Sequence, residues 1–333
     1  MKMEEKIDIL LATYNGEKYL KAQIDSILNQ TYKNIRLIIS DDCSKDSTRE
    51  ILKEYEQKDK RIKVFYQEKN LGYIKNFEFL LKQVENDIYM LSDQDDVWLP
   101  EKVEKYHEVL KQQNADLVFG DLEVVDEELN NIYPSFNDFM LLTRKIKKYI
   151  DSYKLNYLYN CVTGCTIMSR KKWINTLLPF PSKTKYVAHD HWISLIISLN
   201  GKLIYIPEKY IKYRQHSNNE IGTNKISHKF KKLEQVRNLF IEVKLSVFGT
   251  YVDNNEKFPK ELQELNTNAY NYFKMVEKKK NFNFKNWGIF HKLYKTETFM
   301  YYIENFLIMN MPFIGRGLFN IRYYILKLLG KRK

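Results

Sequence analysis

The first hundred residues alternate short apolar runs with amphipathic segments, and each run stops at a polar turn. Ile7–Ala12, Ile35–Ser40, Lys63–Tyr66 and Asp87–Ser92 read as strands. Between them, Glu17–Gln30, Ser44–Tyr55 and Tyr73–Val84 carry apolar residues at helical spacing, as at Leu20, Ile24, Ile27 and Leu28, with Ser44 or Asp46 as N-cap of the second. Strands interleaved with helices predict a mixed, mainly parallel sheet flanked by helices, an α/β domain. Parallel strands point their carboxyl ends the same way, and ligands of open α/β sheets bind in the crevice outside those ends.

Three of the four runs end in groups suited to a ligand. Thr13-Tyr14-Asn15-Gly16 follows the first, Asp41-Asp42 the second, and Asp93-Gln94-Asp95-Asp96 the fourth. Any one such loop is an ordinary turn, because Asp and Asn favour turns. Three on one edge point to a binding site. Hard oxygen ligands on a tight turn suit Mg²⁺ or Mn²⁺, which bridges substrate phosphates. The alternative is an acidic turn capping the helix that Pro100 and Glu101 begin.

Further along, Ala115 to Tyr133 reads as a strand and an acidic hairpin, and Thr143–Tyr159 as a basic helix. Cys161–Met168 reads as a strand with a glycine bulge at Gly164, and Trp173–Leu178 as a short helix. His189-Asp190-His191-Trp192 opens an apolar helix that Gly201 stops, and Leu203–Ile206 and Tyr210–Tyr213 read as two closing strands. Beyond Ser217 the pattern is helical, over 228–249, 259–281 and 287–333. The expected organisation is a domain over 1–218 with two halves, 1–130 and 131–218, followed by a basic helical region (219–333).

Charge follows that division. Residues 1–140 hold 19 Lys and Arg against 29 Asp and Glu, while the rest holds 35 against 13. The acidic part suits a metal, and the basic part suits phosphate, anionic lipid or nucleic acid. Three cysteines, Cys43, Cys161 and Cys165, lack paired-ligand spacing and argue against a disulfide framework or a structural zinc site. The start, MKMEEKIDIL, carries acids where a signal peptide has its apolar run, so a cytoplasmic protein is expected.

Leu11-Ala12-Thr13-Tyr14-Asn15-Gly16, Gln30-Thr31-Tyr32, Ser40 to Thr48 and Asp93-Gln94-Asp95-Asp96, in that order, resemble the family-2 glycosyltransferases of GT-A fold. The resemblance covers about residues 6–216. Asp-Gln-Asp-Asp-Val-Trp, Val162-Thr163-Gly164-Cys165-Thr166, His189-Asp190-His191-Trp192 and Tyr213-Arg214-Gln215-His216 look most like the bacterial rhamnosyltransferase-type members, which often build surface polysaccharides. That resemblance implies an inverting transferase using Mg²⁺ or Mn²⁺. Ala12, Thr13, Tyr14 and Asn15 would cradle base and ribose, Asp42 with Asp41 would read the N3–H of uracil or thymine, and Glu17 would contact the donor. Asn70, Gly72 and Asn76 would approach the nucleotide, and Gln94 lies beside the donor in the acidic turn. Asp93 and Asp95 match the DXD positions, with Asp95 the direct metal ligand and Asp96 secondary. Asp190 matches the general base, although the family often has Glu-Asp where this chain has His189-Asp190. His189, His191, Trp192, Thr163 and Gly164 fall on the acceptor side. Arg214 would pair with the diphosphate, and His216 with phosphate or metal.

The donor implied is dTDP-L-rhamnose first and a UDP-hexose second, with a saccharide or lipid-diphosphate-linked saccharide as acceptor. A dinucleotide oxidoreductase is disfavoured because Thr-Tyr-Asn-Gly-Glu replaces G-x-G-x-x-G after the first strand. Nucleic-acid binding would use the basic half yet leave the acidic cluster without a role, so no nucleic acid is expected. The aromatic, basic tail from Trp287 to Lys333 suits either the inner face of an anionic membrane or a homodimer contact.

Overall fold

The computed structural model describes residues 4–139, 152–182, 184–216, 233–278, 288–289 and 291–293. In chain order its main elements are β1 (Ile7–Thr13), α1 (Leu20–Leu28), β2 (Ile35–Asp41), α2 (Thr48–Lys58), β3 (Ile62–Tyr66), α3 (Tyr73–Lys82), β4 (Ile88–Ser92) and β5 (Val97–Trp98). There follow α4 (Lys102–Gln112), β6 (Leu117–Val125), β7 (Asn131–Tyr133), β8 (Met168–Arg170), α5 (His189–Asn200), β9 (Leu203–Arg214), α6 (Leu233–Asp253) and α7 (Lys260–Glu277).

The strands make one sheet in the order β3-β2-β1-β4-β8-β6-β9-β5, with β7 paired to β6. β3, β2, β1 and β4 are parallel, so Thr13 stands beside Asp41 and Leu11 beside Ser92. β8 runs antiparallel to both β4 and β6 and joins the two halves of the sheet. Ile9, Leu11, Leu37, Ile39 and Met90 are buried with Leu20, Ile24 and Ile27 of α1. Burial of both sheet faces is what a parallel sheet requires.

Two expected elements differ. Instead of a bulged strand over Cys161–Met168, Gly164–Thr166 forms a 3₁₀ turn, and β8 begins only at Met168. The Thr166 amide and hydroxyl both donate to the Thr163 carbonyl, at 2.9 and 2.7 Å, closing the chain on itself where a strand would have stayed open. The two expected closing strands are one, β9, which follows β6 through register shifts at Gly120/Asp121 and Asp121/Glu123. The first of those shifts spans Pro207, which has no amide to give the ladder.

The chain divides into two compact units, one of residues 1–180 and 188–220, the other of 181–187 and 221–333. In the second, Phe248 stacks on Phe273 at 5.5 Å and Arg237 donates to the Val276 carbonyl at 2.8 Å, tying α6 to α7. Among the described residues no helix is long and apolar enough to cross a membrane. The expected basic helix over 143–159 is described only from 152, where Tyr153–Asn156 is helical, and most of 287–333 lies outside the described residues.

Asp8, the second residue of β1, is fully buried and forms a bidentate pair with Arg36 of β2 (2.8 and 3.0 Å). It also accepts the amides of Glu85 and Asn86 at 2.8 and 3.0 Å. Burial pushes its carboxyl up, but the Arg36 and Asn86 hydrogen bonds outweigh this and hold it below 3.8. Because the folded value lies below the unfolded one, the contribution to stability is present above the ordinary carboxylate range and is lost as pH falls through the folded value. Asp8→Asn is expected to cost about 3 kcal/mol, read as a lower urea midpoint at pH 7. The gap to wild type should narrow in acid, and an unchanged midpoint at pH 7 would remove Asp8 as the sheet's amino-end anchor.

Candidate active site

The loops after β1, β2 and β4 are held together by their own polar groups. The Thr13 hydroxyl and Tyr14 amide both donate to Gln94 Oε1, at 2.6 and 2.8 Å, and Gln94 Nε2 donates back to the Tyr14 carbonyl at 3.1 Å. Asn15 accepts the Lys45 amide at 2.8 Å and its own amide donates to Ser44 Oγ at 2.8 Å. Its φ of 48° is a left-handed conformation that Asn tolerates. Gly16 donates to Thr48 Oγ1 at 2.8 Å, and a Cβ on it would stand 2.4 Å from Gln94 Oε1. Glu17 accepts the Ser47 amide at 2.9 Å.

These bonds give several of the expected donor-side residues structural partners. Asn15, Glu17 and Gln94 brace the edge, with Glu17 at the start of α2 and Gln94 behind Tyr14. Ala12 stays within β1. The ring of Tyr14 is 44 % exposed on a backbone pinned at both its amide and its carbonyl. Asp41 is turned inward, fully buried, and bonded to Arg49 Nε at 2.6 Å and to the Ser44 amide at 3.2 Å. Asp41 thereby supports the loop.

Asp42 accepts the amides of Leu71 and Gly72 at 2.6 and 2.9 Å, which draws the loop before α3 over the end of β2. Burial raises its carboxyl, and the neighbouring Asp41 charge pushes the same way. Gly72, at φ 78°, gives α3 its entry. Asn70 accepts the Gly72 amide at 3.0 Å, and buried Asn76 donates to the Ser40 carbonyl at 3.1 Å. Asn70 and Gly72 thus bond to Asp42, and Asn76 ties α3 to β2.

In the acidic turn the carboxylates have different surroundings. Asp96 is fully buried, with one oxygen accepting the Arg214 amide at 3.2 Å and the other without a protein partner. Asp95 meets His216 Nε2 at 2.9 Å, and that ring stacks on Tyr19 at 4.8 Å. The Arg214 guanidinium lies over the same Tyr19 ring, donating to the carbonyls of Asp95 and Glu127. Arg214, expected to pair with the diphosphate, is a buried strut at the end of β9 tying that strand to the acidic turn.

Charge crowds here. Burial, then the charges of Asp95 and Asp190, push Asp93 up to about 7, while Lys102 opposes them. Burial and the charges of Asp95 and Asp93 also raise Asp96 well above its ordinary value. Oxygens of Asp93 and Asp96 and the Cys165 sulfur lie within 4.8 Å of one another. Burial holds the Cys165 thiol protonated, and a neutral thiol is a poor ligand for a hard cation. The carboxylates, by contrast, suit Mg²⁺ or Mn²⁺, and the partnerless Asp96 oxygen is the kind of group a cation satisfies.

Asp190 begins α5 and comes close enough to this cluster to act on Asp93. One of its oxygens accepts Asn160 Nδ2 at 2.9 Å and the His191 amide at 2.6 Å, and the other accepts the Gly164 amide at 3.2 Å. His189 is buried against Phe77, stacked at 4.0 Å, with Tyr73 at its edge, and both ring nitrogens lack a partner. Burial keeps the ring neutral. A Cβ on Gly164 would come within 2.8 Å of His189 Nε2, so glycine is needed there.

His191 and Trp192 do not face an acceptor. His191 Nε2 meets the Asn156 carbonyl at 2.7 Å, and fully buried Trp192 donates to the Leu177 carbonyl at 3.1 Å. Both belong to the core, because a helix entering the sheet's interior buries all sides of its first turns. Thr163 contributes its carbonyl to the 3₁₀ turn. Sequence reasoning missed Tyr19, Phe77, Lys102 and Asn160, which bear no motif of their own.

The model of Glycosyl transferase family 2 matches residues 8–177, a span that takes in all three strand-end loops. Among curated relatives, the dTDP-rhamnosyl transferase RfbG of Shigella flexneri is 30% identical over 241 residues, 68% of this chain and 79% of that one. WfgD of Escherichia coli, a UDP-Glc:alpha-D-GlcNAc-diphosphoundecaprenol beta-1,3-glucosyltransferase, is 28% identical over 253 residues, 74% of this chain and 87% of its own. Among solved structures, S. aureus TarS 1–349 in complex with UDP-GlcNAc superposes with a TM-score of 0.56 at 17% identity, covering 92% of this chain and 84% of TarS. A family model that matches half the chain, on the strands and loops that build the acidic edge, places it without ambiguity: the chain belongs to glycosyltransferase family 2 and has the GT-A fold.

Proposed function

We propose that this chain is an inverting glycosyltransferase that moves a sugar from a nucleoside diphosphate to a hydroxyl of a saccharide or lipid-diphosphate-linked saccharide. One observation carries the reading: a carboxylate fixed at a helix start, Asp190, stands beside an acidic turn at the sheet edge. An inverting transfer needs a base on one side of the anomeric carbon and charge stabilisation of the leaving group on the other.

Asp190, held by Asn160 and the Gly164 amide, takes the proton of the acceptor hydroxyl. The freed oxygen pair forms the bond to the anomeric carbon while the bond from that carbon to the diphosphate oxygen breaks, so the nucleoside diphosphate leaves with its electrons. Asp93 and Asp95, with Asp96 behind them, are the residues that would hold Mg²⁺ or Mn²⁺, which when bound neutralises diphosphate charge. The exposed Tyr14 ring and Asp42 would receive the base, and a uracil or thymine N3–H suits a carboxylate acceptor.

The donor we favour is dTDP-L-rhamnose, supported by the relative RfbG, with a UDP-hexose as the second choice, supported by WfgD. WfgD's diphosphoundecaprenol-linked acceptor supports a lipid-linked acceptor and work at the inner face of the cell membrane, which the basic carboxyl-terminal region would aid through anionic lipid. A homodimer through that region is the competing use. Liposome flotation in low salt separates the two.

A thermal-shift series with dTDP-rhamnose, UDP-glucose, UDP-galactose and UDP-N-acetylglucosamine, with and without Mn²⁺, tests the class. A ligand at a hundredfold excess over its dissociation constant adds about 2.7 kcal/mol. One sugar nucleotide should give a metal-dependent rise that Asp95→Ala abolishes, and no rise with any of them would sink the proposal. Asp190→Asn should keep the donor-induced rise and lose turnover by about 10²- to 10⁴-fold. Gly164→Ala, which crowds His189, should lower kcat with little change in the donor-induced rise; full activity would show that the turn has slack.

A further inference from the structure

Lys102 occupies a position where a lysine is unfavourable on two counts. It is the first residue of α4, at the positive end of the helix dipole, and its side chain is fully buried. Its ammonium lies 3.1 Å from the centre of the Trp98 ring and donates to the carbonyl of Cys165 at 2.7 Å, a link between residues 63 apart in sequence. Burial pushes it well below its ordinary value, but charged or neutral the amine has protons to donate.

Cys165 is the middle of the 3₁₀ turn, and that turn touches both parts of the site. Its thiol faces the Asp96 carboxylate, and the amide of the preceding Gly164 donates to Asp190 Oδ2 at 3.2 Å. Thr166 closes the turn on Thr163, and Gly164 packs against His189 with no space for a side chain. A displacement of Cys165 therefore has no slack to absorb it before it reaches Asp190.

We propose that Lys102 is a positioning residue for glycosyl transfer: by holding the Cys165 carbonyl it fixes the Gly164–Thr166 turn, whose Gly164 amide sets the Asp190 carboxylate on the acceptor side of the acidic cluster. The inference rests on Asp190 being the base. Nothing in the family match or in the relatives' activities assigns a role to this lysine.

Lys102→Met keeps the bulk and removes the donor, and replacing a buried charged group by an apolar one of similar volume is often tolerated. Lys102→Gln is the second variant, used if the first does not fold. Three readouts are taken on the full chain: the thermal rise with donor and Mn²⁺, kcat and KM, and hydrogen exchange of the amides in 160–168. The expected result is an unchanged donor-induced rise and donor KM, kcat reduced about tenfold to a hundredfold, and faster exchange over 160–168, as for a misplacement on the order of 1 Å. Turnover within twofold of wild type overturns the proposal, as does unchanged exchange. A loss of donor affinity in step with kcat also overturns it, since Lys102 would then act on the acidic cluster instead. Asp190→Asn run alongside separates the layers. If that variant keeps full turnover, the base assignment fails and takes this inference with it; if it is inactive while Lys102→Met is active, only this inference fails.

Discussion

The parallel pairing of β1 with β2 and β4 is the constraint on which the site depends. Three strands running the same way must end on the same edge, so Thr13, Asp41 and Ser92, far apart in sequence, become neighbours. The loops that leave them are then close enough to bond to one another, and Gln94, Asn15 and Glu17 do so. The edge is rigid before any ligand arrives, and a pre-organised edge loses less freedom on binding.

That rigidity brings together carboxylates that would otherwise separate. Burial with the charges of Asp95 and Asp190 raises Asp93 to about 7, and burial with the charges of Asp95 and Asp93 raises Asp96 well above its ordinary value. A cluster of like charge in a buried setting is tolerated when something positive completes it. Hydrogen bonds complete part of it here: His216 Nε2 meets Asp95, and the Arg214 backbone amide donates to Asp96. The site thus costs stability that the core of the sheet supplies, a usual arrangement where function needs charge.

The polar residues at the edge fall into two sets that look alike in sequence. Asp41 and Asp42 are adjacent and chemically the same, yet one points into the protein toward Arg49 and the other toward the loop at Leu71 and Gly72. Alternation along a strand sends neighbours to opposite sides, and which side holds the ligand depends on what packs there. His191 and Trp192 raise the same difficulty on a helix: the first turn of α5 is buried all round, and these two side chains bond to the carbonyls of Asn156 and Leu177.

Periodicity and turn chemistry determined, without coordinates, the strands and helices of the first ninety residues, the parallel sheet, and the three polar loops on one edge, because these follow from local spacing and from the direction of parallel strands. The motifs likewise located Asp190 at a helix start. Only the tertiary structure decided that Cys161–Met168 turns instead of extending, that Arg214 is a strut, and that Asp41, Glu17 and Gln94 brace the edge. It also brought Lys102 under Cys165, and Asn160 and Gly164 to Asp190. The Arg214 and Lys102 contacts join segments 119 and 63 residues apart, set by how helices and sheet pack, and no local pattern encodes a partner at that distance.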